Sequence, residues 1–280
     1  AENRPVRDGG WDPRAVLRDA LTNHGFIGVK LYPPMGYRAS GNTAGQQPFP
    51  PSVRNAFGDD EKTAAALDTS LDELWPLCLE LDAPIMAHAA NSNAAGRCFG
   101  RRADPTYWLP VALKHPQLRI MLAHFGRFRT PAGTALVEDD DDIPFEQSWE
   151  GVIGKFVADH PSSMLFADIS FFSELFRRRE RARALERMKR YLKLDPGGRH
   201  VVFGGDWVVL GVARDFVSGG GYATRVKDFL ADAGLNDEQI DGVMYGNAVR
   251  FLGLDEGSKA RSRLLRFYAA NALPPERLPS

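Results

Sequence analysis

The chain has 280 residues, of which 44% are hydrophobic and 25% are charged, and its formal net charge is −1 at pH 7. This near-neutral charge argues against nucleic-acid or membrane-surface binding, and no apolar window approaches the roughly 18 residues of a membrane span. The two cysteines, Cys78 and Cys98, exclude a disulfide framework and favour a reducing compartment, which we take as the cytoplasm.

Short apolar runs alternate with helical segments along most of the chain. Strands are predicted at residues 26–32, 83–89, 118–124, 164–170 and 200–206, each apolar enough to be buried on both faces. Helices are predicted at residues 12–25, 70–82, 104–116, 145–161 and 171–195, and again from residue 206 to the end of the chain. Strand followed by helix, repeated, predicts an α/β fold with a parallel sheet.

Local signals suggest where two helices begin and where a long loop lies. Asp12 before Pro13 is typical of an N-cap, and Ser70 with Glu73 is typical of a capping box. The segment 36–62 is rich in Gly, Pro, Ser and Asn, which predicts either a functional loop over a site or an inserted loop.

Polar residues recur where the predicted strands end. They are Lys30, His88, His124, Asp168 and Asp206. Each has a structural interpretation as a helix cap, a hydrogen-bonded residue or a charge that extends to water. The carboxyl edge of a parallel sheet gathers ligands, however, and imidazole with carboxylate suits a divalent cation. The recurrence at one edge therefore favours a metal site.

The other four histidines are predicted to be structural. His24, His115 and His160 lie at helix ends, where an imidazole can meet terminal carbonyls, and His200 opens a strand.

Five segments together resemble the amidohydrolase superfamily, in its amidohydrolase-related branch of metal-dependent TIM barrels. They read GVKLYPP, PIMAHAANSNAAG, RRADPTYWLPVALKHPQLRIMLAHFG, VVFGGDW and VMYGNAVRFLGL, and they occur in this order along most of the chain. The resemblance implies a (β/α)8 barrel, of which residues 1–280 form one partial domain with a loop insertion at 36–62. The five predicted strands correspond to the C-terminal five βα units, followed by C-terminal helices.

The resemblance also implies roles for individual residues. His88 matches a metal ligand, and His124 matches a histidine that either polarises the substrate or binds a second ion. Asp206 matches the aspartate that contacts the metal and acts as general base. Lys30 matches a lysine that some members carboxylate to bridge two metals, although it could equally bind a substrate carboxylate.

One departure from the family pattern is large. The family opens with an HxH pair of metal ligands, and none of the six histidines here forms such a pair. We expect that the chain is the C-terminal part of a longer protein, that it is truncated, or that an N-terminal segment or another chain completes the barrel.

The predicted function is a metal-dependent hydrolase of an amide, ester or lactone. In this hypothesis zinc activates water, Asp206 acts as the general base and His124 polarises the substrate carbonyl. The side chains of Tyr32, Arg127 and Trp207 surround a small-molecule substrate. One alternative is decarboxylation of an aromatic or related carboxylic acid at the same site. Another is a non-catalytic remnant or partner subunit that lacks the full ligand set. The sequence also leaves open whether the chain forms a homo-oligomer.

Overall fold

Five parallel strands form a single sheet in the computed structural model, which describes residues 12–45, 48–90, 95–96, 99–125, 143–206 and 221–278. The strands are β1 Val29–Leu31, β2 Ile85–His88, β3 Ile120–Ala123, β4 Leu165–Ile169 and β5 Val201–Phe203. Their order in the sheet is the order of the chain, β1-β2-β3-β4-β5. The predicted strands are thus confirmed with shorter bounds.

Helices follow the strands as the α/β prediction requires. They are α1 Pro13–Asn23, α2 Pro51–Phe57, α3 Asp60–Glu80, α4 Leu109–Lys114, α5 Trp149–Asp159, α6 Arg178–Leu192, α7 Tyr222–Asp232, α8 Asp237–Asp241, α9 Asn247–Leu252 and α10 Lys259–Ala270. Single 3-10 turns occupy Pro33–Met35, Phe99–Ala103, Pro105–Tyr107, Phe145–Gln147, Ser173–Phe176 and Pro275–Arg277, and a π-helical turn, Gly242–Gly246, joins α8 to α9. In the described part of the chain, no helix is long and apolar enough to cross a membrane.

The two predicted helix starts have different outcomes. The N-cap at Asp12 is confirmed, because its side chain accepts the Arg14 backbone N–H at 2.9 Å. The capping box at Ser70 is wrong, since Ser70 lies inside α3. That helix begins after Asp59, whose carboxylate accepts the Lys62 N–H at 2.7 Å. The alanines at 64–66 are strong helix formers and extend the helix towards the N-terminus. The segment 36–62 consequently contains α2 and the first residues of α3.

Alternate residues of the strands face two different layers. Ile85, Ile120, Leu122 and Leu165 belong to a large buried core that also takes residues from the helices α3, α5 and α6. The opposite face, which we name the site face, is apolar at its amino end. There Met121, Phe166 and Val202 pack with Phe251 of α9, and Met86 lies against them.

The site face becomes polar towards the carboxyl ends of the strands. Lys30 is in register with Met86, and Met86 with Met121. His88 and Asp168 each lie two residues beyond an apolar residue of this face, so the two-residue period of a strand turns them to the same side. The fold therefore brings His88, Asp168 and His124, the last directly after β3, to one edge, and places Lys30 on the same face at the level of Met86.

The sheet is open in the part of the chain that the structure describes. β1 and β5 lie at its two edges, and each pairs with one neighbouring strand. Five successive parallel βα units in chain order agree with an incomplete (β/α)8 barrel.

Candidate active site

His88 ends β2 and is stacked against an aromatic ring. Its side chain is buried, and the Tyr32 ring lies 4.2 Å away between centroids, with 19° between the two planes. The Tyr32 Oη lies 3.4 Å from the His88 Nε2. The Tyr32 backbone N–H in turn donates to the Tyr37 Oη at 2.9 Å, which fixes the chain just after β1. Tyr32 therefore packs directly on a predicted metal ligand.

His124 follows β3 and lies edge-on to His88. The two imidazole centroids are 4.7 Å apart, with 68° between their planes. His124 is buried, and its backbone is in the left-handed region at φ 70°. A non-glycine residue in that region is uncommon and is held there only where the surrounding contacts determine it. The structure thus places two buried imidazoles in contact at the sheet edge.

Asp168 and Ser170 hold the backbone and ring of His124. The Asp168 Oδ1 accepts the His124 backbone N–H at 2.8 Å and the Ser170 hydroxyl at 2.5 Å. The Ser170 Oγ also lies 2.9 Å from the His124 Nδ1, and the Ser170 carbonyl oxygen lies 3.3 Å from the same nitrogen. Asp168 therefore reaches β3 as well as its own loop, which goes beyond the helix-cap alternative drawn from the sequence.

Gly204 has no side chain, and the space this leaves is occupied by Asp168 and Ser170. A Cβ added at Gly204 would lie 3.0 Å from the Ser170 Cβ and 3.3 Å from the Asp168 Cγ. Both separations are tighter than ordinary carbon contacts, so a side chain at this position would press on both residues. The close approach of the chain after β5 depends on the missing side chain.

Lys30 and Asp206 supply the charge of the site. The Lys30 side chain is accessible to water yet surrounded by protein atoms on the site face, and this desolvation lowers its pKa. The negative charges of Asp168 and Asp206 oppose that shift and raise the Lys30 pKa in part. Asp206 lies three residues beyond β5, is exposed, and has a left-handed φ of 51°. The strand predicted at residues 200–206 is shorter than expected, because β5 ends at Phe203 and leaves Asp206 beyond it.

His88 and His124 are two possible metal ligands among the described residues. Two adjacent imidazoles suit a borderline divalent cation, but a catalytic ion needs about three protein ligands. Within the described ranges, no group of three or more His, Cys, Asp or Glu side chains is placed to hold an ion. The donor set fits a metal as a pair of ligands and does not form a complete site by itself.

Some predicted site residues lie outside the described residues. They are Arg127 and Trp207.

The four histidines predicted to be structural do lie at the ends of elements. His200 is buried and its Nδ1 lies 3.0 Å from the Asp195 Oδ1, while His24 contacts Asp19 on the surface. His115 and His160 follow the last residues of α4 and α5.

Two residues that support the site, Ser170 and Arg102, belong to no motif that the sequence shows. Ser170 follows Asp168 by two residues in the segment ADIS, a spacing that lets a hydroxyl turn back to a carboxylate. Arg102 is buried between the rings of Phe99 and Phe49, at 4.1 and 4.9 Å from its guanidinium carbon. It donates to the carbonyls of Gly36 and Pro48, so it ties the loop after β2 to the loop after β1.

The family follows from a comparison of the whole chain with known proteins. A model of the amidohydrolase family matches residues 6–254. The chain belongs to the amidohydrolase family.

Two solved structures resemble this amidohydrolase-family chain at low identity. One is a candidate metal-dependent hydrolase from Lactobacillus casei ATCC 334, with a TM-score of 0.46, 12% identity and coverage of 86% of this chain and 58% of that one. The other is dihydroorotase from Campylobacter jejuni, with a TM-score of 0.44, 14% identity and coverage of 88% and 63%. The chain thus spans less than two thirds of either neighbour. The comparison with curated proteins found no match.

Proposed function

We propose that this chain carries part of the active site of a metal-dependent hydrolase that acts on an amide, ester or lactone. The observation that carries the proposal is the contact between two buried imidazoles, His88 and His124, with centroids 4.7 Å apart at the carboxyl edge of a parallel sheet. That edge is where sites form in barrels of this type, and the family is one of hydrolases.

His88 and His124 are the residues that would hold the metal. Their neutral imidazoles suit zinc, which is the ion that we propose, and the further ligands would come from residues outside the described ranges or from another chain. A bound divalent ion supplies Lewis acidity, which makes water a stronger nucleophile at neutral pH. The substrate is a small molecule, and cysteine use supports a cytoplasmic location.

Asp206 is proposed as the proton acceptor. Its carboxylate is exposed, so it can meet water and substrate. The positive charge of Lys30 lies close enough to attract both Asp206 and Asp168. Lys30 can therefore orient a substrate oxyanion or carboxylate on the site face.

A second candidate is a subunit that does not catalyse by itself. The observation that favours it is the lack, within the described residues, of a group of three ligands. Such a chain would need a partner segment to complete the barrel and its ligand set before it could act.

The test is an activity assay of the purified chain after chelation and reloading with zinc or manganese. The substrates are a panel of amides, esters and lactones, with aromatic carboxylic acids to detect decarboxylation. We expect metal-dependent hydrolysis, and Asp206→Asn should lower kcat by about 10²–10⁴ because a general base is lost. Asp241→Asn, an exposed aspartate on α8, is the matched control.

Each other result has a defined meaning. Release of carbon dioxide without hydrolysis would replace the hydrolase by a decarboxylase. An unchanged rate for Asp206→Asn would overturn the assignment of the base. No turnover, together with no stabilisation by metal, would favour the non-catalytic subunit.

A further inference from the structure

We propose that Ser170, with Asp168 behind it, is a positioning residue that holds neutral His124 in the tautomer protonated on Nδ1. The lone pair of the ring then resides on Nε2. The tautomer follows from the contacts alone, whereas its consequence for catalysis rests on the proposed function.

The first step concerns the Asp168 Oδ1, which acts as an acceptor. The backbone N–H of His124 can only donate, and it meets Oδ1 at 2.8 Å. Oδ1 is therefore an acceptor, and the Ser170 hydroxyl meets the same atom.

The second step concerns the single hydroxyl hydrogen of Ser170. The Ser170 Oγ and the Asp168 Oδ1 are 2.5 Å apart, within the range of a hydroxyl that donates to a carboxylate. A carboxylate has no hydrogen to give, so the hydrogen between these atoms belongs to Ser170. Towards any other neighbour, Oγ then offers only its lone pairs.

The third step concerns the His124 Nδ1, which faces two acceptors. The Ser170 Oγ is 2.9 Å away and the Ser170 carbonyl oxygen is 3.3 Å away. A hydrogen on Nδ1 satisfies these oxygens, whereas a lone pair there would face other lone pairs. His124, Ser170 and Asp168 are 8%, 4% and 2% exposed, so water cannot readily replace a lost partner.

The consequence separates the two roles that the family resemblance implies for His124. With the hydrogen on Nδ1, the neutral ring can bind a cation or accept a proton through Nε2. It cannot donate a hydrogen bond from Nε2 to a substrate carbonyl. Ser170 and Asp168 thereby prepare His124 as a ligand or a base, in the way that outer hydrogen-bond partners orient metal-binding histidines.

The experiment is a long-range ¹H–¹⁵N correlation spectrum of the ¹⁵N-labelled chain without metal. It is recorded at pH about 8.5, two units above the usual imidazole pKa of about 6.5, and the His124→Gln spectrum assigns the signals. We expect the Nδ1–H form in at least about tenfold excess, the ratio that one net hydrogen bond supports. A predominant Nε2–H form, or an even mixture, would overturn the proposal.

The variant Ser170→Ala separates the hydroxyl from the carbonyl of the same residue. It removes the nearer acceptor, so the ratio of tautomers should fall by about tenfold, while Ser173→Ala, three residues along the chain, should leave it unchanged. An unchanged ratio in Ser170→Ala would remove Ser170 from the role.

The wild-type spectrum decides the tautomer even if the Ser170 variant does not fold. Neither spectrum depends on metal or turnover. Failure of this proposal is therefore distinguishable from failure of the proposed function.

Discussion

Two buried clusters, each containing an aspartate and a histidine, lie at opposite ends of the same sheet, and their hydrogen bonds are arranged differently. At the amino end of β5, the Asp195 Oδ1 lies 3.0 Å from the His200 Nδ1, and Asp195 Oδ2 accepts the His200 N–H at 2.9 Å and the Tyr191 hydroxyl at 3.3 Å. At the carboxyl end, the Ser170 hydroxyl donates to Asp168 and lies 2.9 Å from the His124 Nδ1, between the carboxylate and the ring.

The difference shows how one pair of residue types serves the fold in one place and the site in another. Asp195 contacts the ring of His200 directly, inside a core where burial and the charge of Asp195 raise the Tyr191 pKa well above its usual value. The hydroxyl in the second cluster separates the charge of Asp168 from the ring of His124. We therefore expect changes at Asp195 to act on stability and changes at Asp168 and Ser170 to act on His124.

The largest expected effect is that of Asp195→Ala. It leaves the His200 N–H, the His200 ring and the Tyr191 hydroxyl without their buried acceptor. The free energy of unfolding should fall by about 3–5 kcal/mol, as when one partner of a buried pair is removed. Denaturant unfolding measures this, with the exposed Asp241→Ala as control. A loss below about 1 kcal/mol would mean that this cluster does not stabilise the fold.

A smaller loss is expected for Asp168→Ala. Its carboxylate accepts one backbone N–H and one hydroxyl. Its removal takes this acceptor from the His124 N–H and allows the Ser170 hydroxyl to donate to the His124 Nδ1 instead. We expect a loss of about 1–3 kcal/mol, with the His124 tautomer ratio disturbed as well. If stability fell as far as in Asp195→Ala while the tautomer stayed fixed, the contrast between the two clusters would be wrong.

Gly204→Ala tests the packing behind the second cluster. The added methyl group would meet the Ser170 Cβ at 3.0 Å, so the loop after β5 or Ser170 must move. We expect a loss of about 1 kcal/mol or more. The matched change is Gly246→Ala, because Gly246 is helical and has nothing within 4 Å of an added Cβ. Thermal unfolding of both variants compares them, and equal midpoints would show that the contact is not tight.

The smallest expected effect on stability is that of Asp206→Asn. The carboxylate is exposed, so the free energy of unfolding should change by no more than about 0.5 kcal/mol. This prediction is checked by urea unfolding beside the activity assay. A loss above about 1 kcal/mol would mark Asp206 as a structural residue and would weaken its role as base.

The sequence predicted the strands well and the finer geometry less well. Runs such as IMAH and IMLAH identify buried strands, because parallel strands need apolar residues on both faces. The predicted start of α3 was wrong, because the prediction followed a local capping pattern at Ser70. A longer run of helix-forming residues extends the helix further towards the N-terminus. The exposure of Asp206 could not be predicted, because it depends on β5 ending at Phe203.

The site was predictable only where strand ends determine it. His88, His124 and Asp168 share an edge because the strands are parallel and adjacent. The hydroxyl relay through Ser170 and the stacking of Tyr32 on His88 depend on loop conformations, including the left-handed φ of 70° at His124. Such backbone states have no reliable pattern in a single sequence.

The most direct test of the central claim, that His88 and His124 form a metal-binding pair, is thermal unfolding with and without zinc. Zinc should raise the Tm of the wild type and of His160→Ala, an exposed control, because an ion that binds only the native state stabilises it. The double variant His88→Ala with His124→Ala should show no such rise. An equal rise in the double variant, or none in the wild type, would contradict the account.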